Sequence, residues 1–260
     1  MPGLVVTFVG LPGTGKSTLL ARVLEILRER GTTCDASDEV AYRKMMNKLA
    51  WTVREACGHP RFAWRSLKAL VASRQRSFMD LLKMVSNWFA RAFLIRRAAR
   101  SPGIHLIDED MFQVLWSIGF SSRLGAWPAG FPLPGGTFVP VPSLVVVLES
   151  SLEVIERRLA ARPGCSSRLE KWLPEEPGVL QRAECLMERV KDTIAHIADQ
   201  HAAMHVLLID SDRNDRLEAN ALGVVDCIDA LRDDSGMPMA SHQSIDGVCH
   251  TVLMTAPARS

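Results

Sequence analysis

Near the start of the chain, Gly10 to Ser17 reads G-L-P-G-T-G-K-S and fits the pattern G-x-x-x-x-G-K-[ST]. Glycines at this density permit unusual dihedrals and close approach of the backbone to a ligand. Successive amide N–H groups can then converge on phosphate oxygens. A lysine at this spacing reaches the β- and γ-phosphates, and the hydroxyl after it ligates Mg2+. Gly10, Pro12, Gly13, Thr14, Gly15, Lys16, Ser17 and Thr18 are therefore the candidate residues for holding a nucleoside triphosphate. Lys16 is also a candidate catalytic residue and Ser17 a metal ligand.

A metal bound to such a loop needs a carboxylate at the end of a neighbouring apolar strand. Two stretches compete, I-H-L-I-D ending at Asp108 and V-L-L-I-D ending at Asp210. Asp108 is favoured, because Glu109 and Asp110 follow it and add carboxylates for proton transfer or substrate contact. Asp210-Ser211-Asp212-Arg213 is expected to form the loop beside the nucleotide base. A carboxylate that ends a strand can equally cap the next helix. Arg157, Arg158 and Arg162 follow on one helical stretch, Pro163-Gly164 breaks it, and Arg168 comes next. Forked guanidinium donors suit the charge spread over a moving phosphoryl group. Arginines flanking a breaker are what a closing lid requires; a solvated helix face followed by a turn is the plainer alternative.

These residues need elements to position them. Leu4 to Val9 is apolar and β-branched, as a buried strand requires. From Lys16, Leu19, Leu20, Val23, Leu24 and Leu27 recur at helical spacing, and Gly31 ends the helix. Further strands are expected at Ile104–Ile107, Leu144–Leu148 and Val206–Ile209, with a weaker one near Thr32–Asp35. Strands this apolar, alternating with helices, make a parallel α/β sheet covered on both faces. Asn214–Leu231 fits a closing helix, and residues 234–260 read as a loose tail.

Two segments interrupt the alternation. Residues 39–100 read as helices only, with Phe78, Leu82, Val85, Phe89 and Ala92 as a packing stripe. Between Arg61 and Arg100 there are ten basic residues and a single acid, Asp80, although the whole chain carries only +2. That asymmetry fits an anionic small molecule or nucleic acid, or simply a solvated face. Gly119 to Ser143 holds five glycines and five prolines and is expected to be either a flap over an acceptor, with Trp127 and Phe131 as apolar contacts, or disorder. The 260 residues hold no apolar run of membrane-spanning length and no N-terminal secretory pattern. Cys34, Cys57, Cys165, Cys185, Cys227 and Cys249 are scattered, which fits reduced thiols in a cytoplasm.

The loop GLPGTGKST, the strand LIDED and the run from Val147 to Glu170 resemble the P-loop kinases of nucleosides and nucleotides, in particular their thymidylate kinase-like branch. The resemblance implies a P-loop NTPase three-layer sandwich with a mostly five-stranded parallel sheet, formed by residues 1–233. It implies ATP and Mg2+ as cofactors, with Lys16 and Ser17 as the loop pair. Arg162 and Arg168 become the lid arginines, in a lid of about 157–178. In place of the branch's acidic-Pro-Gly and D-R-Y-like segments stand CDASDEV and DEDMFQ. The acceptor is thus open between a nucleotide, a nucleoside and a related phosphorylated metabolite. An alcohol acceptor needs a carboxylate base, for which Asp35, Asp38 and Glu109 are the candidates. The alternatives are a P-loop ATPase that transfers nothing and an ATPase that binds nucleic acid through the Arg61–Arg100 helices. Asn47-Lys48-Leu49-Ala50 lacks the acid of a guanine signature.

Overall fold

The computed structural model describes residues 3–35, 45–136, 138–162 and 167–234. Five parallel strands form one sheet: β1 (Leu4–Val9), β2 (Cys34–Asp35), β3 (Ile104–Ile107), β4 (Leu144–Glu149) and β5 (His205–Asp210), in the order β2-β3-β1-β4-β5. All six residues of β1 are buried. Successive side chains point to opposite faces, so Leu4, Val6 and Phe8 enter one core while Val5 and Val9 enter two others. This two-sided burial is why the strand is continuously apolar. The weak strand foreseen near Thr32–Asp35 is reduced to Cys34–Asp35 at the sheet edge.

Helices cover both faces, giving the expected three layers. On one face α1 (Lys16–Glu29) packs beside the last helix, α9 (Leu217–Asp234). Leu19, Val23 and Leu27 meet Val224, Val225 and Ile228 there, and Arg22 clips Glu218 at 2.6 Å. Each fully buried side chain of this kind contributes about 2 kcal/mol. Residues Asn214–Arg216 turn as a short 3-10 helix before α9, so the closing helix starts three residues later than its spacing predicts. The segment beyond Asp234, like the breaker Pro163-Gly164, lies outside the described residues.

The other face carries the insertion and four further helices. The insertion is α2 (Met45–Gly58), α3 (Pro60–Ala72) and α4 (Phe78–Arg100). Pro60 opens α3, where its missing N–H costs nothing. Ser77 caps α4 by accepting from the Asp80 amide at 3.0 Å. Trp88 of α4 is wholly buried, and its indole donates to Ser66 Oγ at 3.0 Å. Then come α5 (Met111–Ser121), α6 (Leu152–Ala160), α7 (Arg168–Trp172) and α8 (Val179–Gln200). A capping box between Ser167 and Glu170 starts α7.

The Gly/Pro-rich stretch departs from the flap that its composition suggests. Its first three residues complete α5. Phe131, 5% exposed, meets Trp88 edge to face at 4.7 Å. Trp127 is half-buried, with Arg189 over its ring at 4.9 Å. Both rings therefore belong to packing. Among the described residues no helix is long and apolar enough to cross a membrane, and Cys34, Cys57, Cys185 and Cys227 are unbridged.

Candidate functional site

Between β1 and α1 the chain turns through Gly10–Gly15. A Cβ at Gly10 would stand 2.8 Å from the Leu148 carbonyl, so the first glycine is needed for close approach to β4. Gly15 has φ 90°, the left-handed region, and serves as the N-cap of α1. No side chain caps that first turn and it holds no acid. An uncapped helix start of this kind, with its positive dipole end, suits an anion. Thr14 Oγ1 donates to the Leu11 carbonyl at 2.8 Å and tightens the loop. The Gly10 amide donates to Gln113 Oε1 of α5 at 3.2 Å, anchoring where the loop begins.

Lys16 folds back across this loop. Its Nζ donates to the carbonyls of Gly10 at 2.6 Å and Leu11 at 3.2 Å. Burial pushes its pKa down to about 8, against the upward pull of the Glu109 and Asp108 carboxylates. Beside it, Ser17 Oγ donates to Asp108 Oδ2 at 3.1 Å. The topology explains this meeting. β3 is the immediate neighbour of β1, so a residue just past the end of β3 stands next to the first turn of α1. Asp210 ends β5, two strands away from β1, where it accepts from the Asp212 amide at 3.0 Å.

Hydroxyl and carboxylate oxygens brought this close fit Mg2+. That ion prefers hard oxygen donors and takes one or two from protein, filling its remaining positions with phosphate and water. Among the described residues there is no cluster of three or more His, Cys, Asp and Glu side chains, so the Ser17–Asp108 pair is the candidate metal position.

The three consecutive acids after β3 have different fates. Glu109 is exposed, with Arg91 Nη2 3.5 Å away. Asp110 is fully buried and caps α5, accepting from the Gln113 amide at 2.9 Å. Burial pushes its carboxyl up to about 6. Arg91 is 1% exposed on α4 and belongs to the site although its sequence context is an apolar helix.

Of the arginines, Arg158 bridges the loop to the far side, reaching the Gly13 carbonyl at 3.5 Å and the Ser211 carbonyl at 2.8 Å. Arg162, 45% exposed, lies at the same opening and donates to Glu170 at 3.4 Å. Its charge is near enough to depress the Lys16 pKa further. Arg168 instead pairs with Asp80 of the insertion at 2.9 Å. A cleft of about 370 Å³ opens beside the loop, lined by Gly15, Thr18, Arg162, Ser211, Arg213 and Asn220 among others. Thus Lys16, Ser17, Asp108, Glu109 and Arg162 gather around the Gly10–Gly15 loop, while Arg168 is paired with Asp80. Asp35 ends β2 in register with His105; Asp38 lies outside the described residues.

Sequence reasoning passed over Gln113 and Arg91. Nothing local marks Gln113. Arg91 had one signal: it sits among Trp88, Phe89, Ala92 and Ile95, all buried.

No protein-family model matches the chain, and no curated protein matches it in sequence. Solved structures do. Deoxyadenosine kinase from M. mycoides with the products dCMP and dCDP is 12% identical and superposes with TM-score 0.50, covering 87% of this chain and 99% of that one. The same kinase with dCTP bound gives 0.48 at 12% identity, covering 87% and 99%. Thymidylate kinase from Candida albicans gives 0.47 at 11% identity, covering 88% and 94%. The chain therefore has the three-layer, parallel α/β fold that the M. mycoides kinase displays over nearly its whole length.

Proposed function

We propose that the protein is an ATP-dependent phosphotransferase that moves the γ-phosphate to a small nucleoside or nucleotide, in the manner of the thymidylate kinase-like enzymes. The observation that carries this reading is the Ser17–Asp108 contact beside Lys16, at the uncapped start of α1. Open amides, one lysine and a hydroxyl–carboxylate pair are what a Mg2+-bound triphosphate requires.

The α1 amides and Lys16 hold the phosphates, and the ammonium neutralises their terminal charge. Ser17 and Asp108 would hold Mg2+, which when bound supplies further positive charge to the phosphate oxygens. The cleft lined by Ser211, Arg213 and Asn220 takes the base and sugar. Arg162 flanks the transferring group, where charge spreads in the transition state. On the other side, Arg91 orients Glu109 and offers a buried guanidinium to an anionic acceptor. Glu109 is exposed and able to accept a proton from an attacking hydroxyl. Asp110 is committed to capping α5.

The test is an ATP-consumption screen against nucleosides, nucleotides and phosphorylated metabolites. One class should stimulate turnover. Lys16→Ala and Asp108→Asn should each lower it on the order of a hundredfold while leaving melting behaviour intact. Steady hydrolysis stimulated by no acceptor would instead mark an ATPase that transfers nothing, and absent ATP binding would sink both readings.

A further inference from the structure

At the opposite end of the molecule lies a second basic concavity. Ser101, on its wall, precedes β3, so the cleft sits at the strand starts, whereas the phosphate-binding loop follows a strand end. Its volume is about 600 Å³. It is lined by Arg54 and His59 from the insertion and by Phe93, Arg96, Arg97 and Arg100 of α4. Glu55, 2% exposed, lines the cleft with them and is held by Arg96 Nε at 2.6 Å. Arg96 Nη2 is buried without a hydrogen-bond partner among the described residues. Arg54 lies over the Phe93 ring at 5.4 Å. Neither Arg54 nor Arg100 has an ion-pair partner among the described residues.

Helix ends do not account for this charge. α2 and α4 both finish at the cleft, each contributing about half a negative charge, while α3 starts there without a side-chain cap and contributes about half a positive one. Counting only Arg54, Arg96 and Arg100, and subtracting Glu55, a surplus of roughly one to two positive charges remains. Like charges gathered in a concavity repel one another. An anion offsets it, and guanidinium forks match phosphate oxygens two at a time. A concavity of this size holds a small molecule rather than a chain, small-ligand sites spanning about 300–1,000 Å³. The Phe93 ring already stacks with Trp51 at 5.6 Å and lies under Arg54, so what the site adds for a ligand is chiefly charge.

We propose that this cleft is a second ligand site, separate from the ATP site, for a small molecule carrying two or more adjacent phosphates. The proposal is independent of whether the protein transfers phosphate. It is tested by calorimetric titration of the full chain with inorganic pyrophosphate and, separately, with ADP. The wild type should show two classes of site. Lys16→Ala should weaken one, and Arg54→Gln with Arg100→Gln should weaken the other by about tenfold or more. ADP binding the cleft more tightly than pyrophosphate identifies a nucleotide as the occupant; equal affinities identify free phosphate chains. One class of site in the wild type, or an unchanged isotherm in the arginine variant, overturns the proposal. So does a single-stranded oligonucleotide that outcompetes pyrophosphate and is lost in the same variant, which would make the cleft part of a nucleic-acid surface. Both arginines are exposed, so matched melting curves are expected; should the double variant melt early, Arg100→Gln alone gives the same reading.

Discussion

Lys16 stands in the folded loop close to losing its charge. Its pKa is depressed to about 8 by burial, whereas a bound triphosphate favours the ammonium. Binding should therefore take up protons, increasingly so as pH rises from 7 to 9, and ATP affinity should fall over the same interval. Calorimetry of Mg-ATP binding in buffers of different ionisation enthalpy reads the proton number directly; no uptake at pH 9 would refute the assignment. The two arginines given to a lid should part company. Arg162→Ala, at the cleft, should lower turnover more than ATP affinity, because the charge it meets develops during transfer. Arg168→Ala breaks a part-buried pair with Asp80 and should lower the melting temperature more than Arg162→Ala does. Steady-state kinetics and thermal melts separate the two outcomes. At this scale the turn and its meeting with Asp108 were legible, because a glycine-rich loop is built from consecutive residues and Asp108 follows a recognisable strand. Arg91 and Gln113 were not, since their roles exist only once α4 and α5 are packed beside β1.

Among the elements, the segment after β4 is fastened to the insertion by a clasp in addition to the Arg168–Asp80 pair. Glu176 accepts from Arg76 and lies 2.8 Å from Arg182, and both guanidiniums face the Trp172 ring, at 4.0 and 5.9 Å. Hydrogen bonding from Arg76 comes first among the causes that hold the Glu176 carboxyl down at about 2. A depressed folded-state pKa means stability that is present above the ordinary carboxylate range and lost as pH falls through about 2. Glu176→Gln should thus melt earlier than wild type at pH 7, with the difference closing between pH 5 and 2. Parallel curves across that range would show that the ion pair adds nothing. The strands were readable because two-sided burial forces an apolar, β-branched run. The Gly/Pro-rich stretch was misread because turn residues are visible locally, while the pocket that receives Phe131 is made by Trp88, 43 positions earlier in the chain.

In the whole molecule, β1 feeds three hydrophobic clusters, one of which includes the insertion through Val5, Phe62 and Trp88. The insertion should therefore not melt as a separate unit. Unfolding followed by far-ultraviolet dichroism and by tryptophan fluorescence should coincide; a separate early fluorescence transition would show that the helices come loose first. The layered sheet was foreseeable from the alternation of strand and helix patterns. The positions of the two clefts were not, because each is lined by residues from distant parts of the chain. One element spans the distance between them. α4 runs for 23 residues, roughly 34 Å at 1.5 Å per residue, and carries Asp80 near its first turn, Arg91 beside Glu109, and Arg96 and Arg100 at the far cleft. One continuous helix thus ties the far cleft to Arg91 and to the Asp80–Arg168 pair, so a shift imposed at any one of these stations would have to be absorbed at the other two.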